Sequence, residues 1–565
     1  MATYEIDAHP VTHEVFNQPP PLASYNVFDE DRALSEALHR EGGGWAEDRC
    51  RALGEMAGGE AIAWGFQANV NLPVLRTHDR YGHRIDEVEF HPAWHQLIRI
   101  AVENEVHALP WRKPRPGAHV ARAALFFLLS QADAGMGCPI SMTYSAVPAL
   151  RTQPEIAMEW EPRLTSNRYD PRSIPATEKN GALCGMAMTE KQGGSDVRAN
   201  STRALPLGRG GPAGEYVITG HKWFCSAPMS DAFLILAQSE KGLSCFLLPR
   251  WLPDGSRNRF HIQRLKDKLG NRSNASSEVE FHAAWARMLG EEGRGVTTII
   301  EMVNHTRLDC VIGASALMRQ AVSQATHHAA HRSAFGRLLK DQPLMRNVLA
   351  DLCVESEAAT AVMMRLARAY DEGAKDAQRR QFARLATAVT KYWVCKRTPM
   401  LVVEALECLG GNGYIEECMM PRLYREAPLL SIWEGSGNVI CLDVLRAMGS
   451  DPHATKEFFD EVALAAGSDG RFDVFVDRLR EEISELDGIE HRARRVVERL
   501  ALALQGSLLL RHGDSGVAEA FVASRLGGEH SYAFGTLPRG IDCGHIIERA
   551  RPETGKARRM GLPPD

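Results

Sequence analysis

Strand-forming runs are confined to one interior block of this chain, and helical patterning lies on both sides of it. Between about 183 and 295 come YVITGHKWF (216–224), AFLILAQ (232–238), LSCFLLP (243–249) and SEVEFHAAW (277–285), separated by polar, Gly- and Pro-containing turns. Short β-branched and aromatic runs punctuated in this way form an antiparallel β-domain. Upstream, ARAALFFLLSQADAG (121–135) has the apolar density of a buried helix ended by Gly135. Downstream, residues 305–335 and 344–373 each carry one helical period, and 382–411 gives a third helix and a fourth. The segment 475–513 has an amphipathic helical pattern. The expected fold is α+β. It has an N-terminal arm (1–35), a helical N-terminal domain (36–182), an antiparallel β-domain (183–295), a helical bundle (296–450) and an extra C-terminal helical domain (451–565).

A chain of 565 residues can bury more than one core. With 44% hydrophobic and 24% charged residues it has the composition of a globular protein. No apolar run approaches the roughly 18 residues of a spanning helix, so no membrane role is expected. The start, MATYEIDAHP, is acidic and polar, unlike a signal or transit peptide, and a cytoplasmic location is expected. The 12 cysteines are scattered with no C-x-x-C pair, which argues against a disulfide framework or a zinc site. His327 and His331 are i, i+4 on a helix, but no third ligand stands at motif spacing, so no metal is expected. The net charge of −5 excludes a uniformly basic nucleic-acid binder and leaves a local basic patch open. NQPPPLASYN (17–26) cannot be a regular helix and is expected to lie along a neighbouring surface, such as that of another subunit. RPETGKARRMGLPPD (551–565) is expected to be a mobile tail.

Three segments carry candidate chemistry: MAMTEKQGGSD (186–196), GHKWFCS (220–226) and SIWEGSGN (431–438). The first has no Walker A pattern and no G-x-G-x-x-G. Its paired glycines let backbone approach a flat ligand, and Thr189 and Ser195 add short hydroxyls. Each segment alone has an ordinary reading: a capped surface turn, a core tryptophan, a carboxylate at a helix start. The same holds for Arg332 in HRSAFG (331–336), which suits a pyrophosphate or a helix C-terminus, and for LGGNGY (409–414), a Gly-rich C-cap. In combination and in this order they point to one buried base, Glu434, facing a redox cofactor.

That combination resembles the acyl-CoA dehydrogenase superfamily over about residues 60–450. NQPPPL, FHPAWH (90–95), GMGCPISMTYSAVPAL (135–150) and LKDKLGNRSNAS (265–276) resemble its alkylation-damage-response (AidB-like) branch, and with them the likeness runs nearly end to end. The resemblance implies an acyl-CoA dehydrogenase-like fold with an added C-terminal helical domain, an FAD cofactor and a homotetramer. It implies flavin contacts from Met188, Thr189, Gly194, Ser195, Trp223, Phe224 and Cys225, and from Trp433, Ser436 and Asn438 beside the base. It implies that Arg332, Phe335 and Gln342 reach the flavin of a neighbouring subunit, and that Gly410, Gly411 and Asn412 reach the cofactor. Glu434 would take the α-proton of an acyl-CoA thioester while hydride leaves for flavin N5. Branch members bind double-stranded DNA and dehydrogenate isovaleryl-CoA weakly. The alternative is a metabolic short- or branched-chain dehydrogenase without a DNA role. Arg446, leading into the C-terminal domain, is the candidate DNA contact, although acidic residues outnumber basic ones in 451–565. Two departures stand out. Cys225 replaces the usual Ser or Thr and is a weaker donor, and Glu407 adds negative charge where glutamine is common. Thr306 occupies a position where some relatives carry their base, and it cannot serve as one.

Overall fold

The computed structural model describes residues 12–553. The opening MATYEIDAHP and most of the 551–565 tail therefore lie outside the described residues. From Leu22 the chain is already part of the core, with Leu22, Tyr25, Val27 and Phe28 buried. The arm expected to reach residue 35 thus ends near 21, and a helix begins at Arg32.

A hairpin of β1 (Val74–His78) and β2 (Arg84–Glu89) interrupts the first helical domain. Helical patterning hides it, because its turn depends on the Asp79 side chain accepting from the Tyr81 and His83 amides and on Gly82 at φ 84°. Helix α1 (Ala118–Ser130) is buried at every position, which accounts for its unbroken apolar run. It ends before Gly135. Helix α2 (Gly137–Leu150) then crosses to the sheet.

The sheet comprises β3 (Cys184–Ala187), β4 (Arg203–Pro206), β5 (Glu215–Ser226), β6 (Ala232–Ser239), β7 (Gly242–Pro249), β8 (Phe260–Leu265) and β9 (Ser276–Leu289). Its order is β3-β6-β4-β5-β9-β7, with β8 on β9; β6 also pairs with β7, so five strands close on themselves. Most pairings are antiparallel, but β3 runs parallel to β6, so the domain is mixed. Phe233, Phe246, Phe260 and Phe281 fill its interior.

Three long helices follow: α3 (Gly295–His331), α4 (Pro343–Gly373) and α5 (Ala377–Cys408). The expected third and fourth helices are one, since α5 continues through Pro399. Helix α6 (Gly437–Ser450) leads to α7 (Pro452–Ala463), α8 (Gly470–Ser484) and α9 (Ile489–His512). This last region is pinned to the bundle: Arg525 pairs with Asp351 and Glu355, and Glu461 with Arg365. No helix among the described residues is long and apolar enough to cross a membrane.

Candidate active site

Glu434 sits two residues before Ser436, the N-cap of α6, at φ 57°. Its carboxylate does not cap the helix: Oε2 accepts a 2.8 Å hydrogen bond from the Thr306 hydroxyl of α3. The left-handed backbone is held by cations. Arg307 donates to the Glu434 carbonyl at 3.0 Å and pairs with Asp443. The buried Lys391 of α5 donates to the carbonyls of Trp433 and Gly435, at 2.8 and 2.5 Å. A side chain in this region costs on the order of 1–3 kcal/mol, so it persists because its surroundings over-determine it. Burial raises the Glu434 pKa; the Thr306 bond, Lys391 and Arg307 oppose that rise.

The 188–195 loop is tied to β5. The Trp223 amide donates to the Thr189 carbonyl at 2.8 Å. A fully buried ion pair anchors the loop, Lys222 Nζ to Glu190 Oε1 at 2.8 Å. Burial alone would raise the Glu190 carboxyl, but the Lys222 ammonium and bonds from Thr202 and Ser201 bring it down to about 2. Gly194 is required by packing, because a Cβ there would meet Thr189 Oγ1 at 2.4 Å. Ser195 is exposed and Met188 half-buried, packing on the apolar cluster that Trp433 also joins. Lys266 covers the Trp223 ring, 3.2 Å from its centroid. Phe224 is half exposed.

Cys225 requires a correction. Its thiol is fully buried in the sheet core, where burial pushes it up to about 12. The register shift between Lys222 and Cys225 breaks the simple alternation of β5 and turns this side chain inward. The next residue, Ser226, carries a hydroxyl that lies by the Cys138 thiol.

Arg332, Phe335 and Gln342 surround a small hairpin of β10 (Ser333–Ala334) and β11 (Arg337–Leu338), braced by Gln342 donating to the Ala334 carbonyl. The proline-rich arm lies across this hairpin, a neighbouring surface of its own chain. Arg332 donates to the Asn17 carbonyl at 2.6 Å, Asn17 exchanges two bonds with Ser333, and Asn412 donates to Gln18. Asn17 and Gln18 thus join the hairpin to the Gly410–Gly411 bend. His327 Nε2 donates to the Pro20 carbonyl in the same arm, and no metal-holding cluster exists among the described residues. The Ser436 hydroxyl makes no cap bond, and Asn438 accepts from Arg494 of α9. Arg446 is exposed, 3.5 Å from Asp443.

The residues fit a flat, heteroatom-rich group. A Cβ at Gly193, Gly410 or Gly411 would meet nothing within 4 Å, so all three border open space. The buried Trp433 Nε1 has no acceptor in the chain. Sequence reasoning missed Arg307, Lys391, Glu190 and Lys222, whose partners lie too far along the chain to form a motif. Thr306 was considered only as a failed base.

Comparison with known proteins agrees with this geometry. Residues 17–171 match the adaptive response protein AidB N-terminal domain, 185–284 the acyl-CoA dehydrogenase middle domain and 293–449 the acyl-CoA dehydrogenase C-terminal domain. AidB of Escherichia coli (strain K12), whose name places it among acyl-CoA dehydrogenases, is 47% identical over 91% of this chain and 94% of its own. Acyl-CoA dehydrogenase family member 11 of Caenorhabditis elegans is 29% identical over 89% and 86%. The structure of C. elegans ACDH-11 in complex with C11-CoA superposes with a TM-score of 0.82 at 27% identity, covering 92% of this chain and 93% of that one. Butyryl-CoA dehydrogenase of Megasphaera elsdenii shares the fold at 19% identity and a TM-score of 0.55, over 69% and 97% of the two chains. The chain belongs to the acyl-CoA dehydrogenase family of FAD-dependent oxidoreductases, in its AidB-like branch.

Proposed function

We propose that this protein dehydrogenates a short branched acyl-CoA of the isovaleryl type at Cα–Cβ, with Glu434 as the base. The observation that carries this reading is the clamped loop. Glu434 is half-buried, its pKa is raised, and one carboxylate oxygen is occupied by Thr306. The other oxygen is left to accept the α-proton. Lys391 and Arg307 bind the surrounding carbonyls, so the carboxylate stays aimed without losing its basicity to a direct ion pair. The thioester oxygen is assigned to the Glu434 N–H, a fixed donor for developing enolate charge. FAD, when bound, would supply the hydride acceptor for Cβ. We assign it to the 188–195 loop, the end of β5 and Trp433. Two cations suit the CoA phosphates: Arg198 and Arg294 wall a cavity of about 420 Å³. Leu243 and Val296 of that cavity share the apolar cluster on which Met188 and Trp433 pack. The C. elegans relative solved with C11-CoA supports a thioester ligand. Anaerobic titration of FAD-loaded protein with isovaleryl-CoA tests this: the flavin band should bleach, and an unchanged spectrum would refute it.

The assembly is read as a homotetramer in the cytoplasm. Phe335 supports an interface, being 99% exposed at a hairpin tip with φ 51°. Arg332, Phe335 and Gln342 are assigned to the flavin of a neighbouring subunit, and Gly410, Gly411 and Asn412 to the cofactor.

A second reading, double-stranded DNA binding in an alkylation response, is favoured by Arg446. Its side chain is 74% exposed and loosely paired, whereas Arg471, Arg499, Arg511 and Arg525 are held in closer ion pairs. Retention of DNA that weakens steeply with salt supports it. Bleaching without retention would leave a metabolic dehydrogenase.

A further inference from the structure

Behind Ser226 runs a chain of hydrogen bonds that the chemistry above does not use. The Lys268 ammonium lies 3.0 Å from Ser276 Oγ and 2.6 Å from the Asn274 carbonyl. Ser276 Oγ lies 3.1 Å from Ser226 Oγ, where β9 pairs with the end of β5. An ammonium can only donate, and a hydroxyl has one proton. Ser276 accepts from Lys268, which leaves its own proton free for Ser226. Where Ser226 accepts, its own proton is free to point away from the strand pair. On that side it meets the Cys138 thiol, a weak acceptor that yields to a better one. With Ser276 as the donor, the order of donation runs Lys268, Ser276, Ser226. Two more features mark this end as built for a polar ligand. Ser276 is 5% exposed, and the buried Asn274 Oδ1 has no partner. Burial lowers the Lys268 ammonium only to about 8, so the relay is fed by a positive charge at neutral pH.

We propose that Lys268 and Ser276 are positioning residues that lock the Ser226 hydroxyl as a donor to the flavin ring and so raise the reduction potential of the bound cofactor. The proposal rests on the flavin reading given above. A reduced ring is richer in electrons than an oxidised one, so a fixed donor and a nearby cation favour reduction. Lys268 acts through Ser276 and does not touch the cofactor.

The test uses full-length, FAD-loaded protein. Two quantities are measured: the reduction potential by dye equilibration, and sulfite affinity by loss of the flavin band. The variants are Lys268→Met, Ser276→Ala and, as a control, Ser277→Ala, whose hydroxyl bonds the Cys225 carbonyl instead. Lys268→Met and Ser276→Ala should each lower the potential and weaken sulfite binding about tenfold, the scale of one lost hydrogen bond. Ser277→Ala should match wild type. Ser276→Ala removes a single oxygen, so it reports even if Lys268→Met does not fold. Wild-type values in Ser276→Ala overturn the relay and leave the flavin site standing. Wild-type protein that takes up no FAD overturns the flavin reading itself.

Discussion

The Glu434 carboxylate receives one hydrogen bond from a neutral donor, and that bond favours its ionised form. Burial raises its pKa above the ordinary 4.5, so activity that needs the ionised base should rise with pH through a midpoint above that value. Removing the Thr306 hydroxyl removes a force that lowers the pKa. Thr306→Val should therefore move the acid limb of the bleaching rate to higher pH, measured by stopped-flow absorbance across pH 5–9. A limb that stays in place would mean the bond has no hold on the base. The base was legible in the sequence because Trp433, Glu434 and the turn after them are contiguous. Its supports were not. Thr306 and Arg307 lie 128 and 127 positions away, and Lys391 lies 42 from Trp433, so no spacing could connect them. Cys225 is set beside the flavin by the resemblance of its segment, and its thiol faces the sheet core because the ladder shifts register between Lys222 and Cys225.

At the scale of elements, the flavin loop depends on β5 through the Glu190–Lys222 pair. Breaking a buried pair leaves one charge uncompensated. Lys222→Met should therefore destabilise the protein by about 3–5 kcal/mol, seen as a lowered Tm, with the Glu190→Gln/Lys222→Met double variant losing less. The Glu190 carboxyl is depressed from 4.5 to about 2, so its contribution is complete above about pH 4.5 and is lost as pH falls toward 2. The alternation of helical and strand blocks was readable because periods of 3.6 and 2 are distinct over long runs. Shorter features were not. The β1–β2 hairpin is a side-chain-stabilised turn inside a helical region, and the parallel β3–β6 pairing is set by topology rather than by local pattern. The 382–411 pattern divides into two helices, yet tertiary packing carries α5 unbroken through Pro399.

For the whole molecule, the exposed tip at Phe335 is the place to test assembly. Phe335→Asp should yield smaller species in sedimentation velocity while the far-ultraviolet circular dichroism is kept. Arg446→Glu should weaken DNA retention and reduce the slope of log affinity against log salt by about one per contact made. The extra C-terminal region could be read as helical from its periodicity. Its docking could not, because it rests on ion pairs between residues far apart, such as Arg525 with Asp351 and Arg549 with Glu357. The most direct measurement of the central claim is anaerobic titration of FAD-loaded Glu434→Gln with isovaleryl-CoA beside the unsubstituted protein. The account predicts equal FAD content with bleaching at least about 10² slower in the variant. Equal bleaching rates in the two proteins would contradict it.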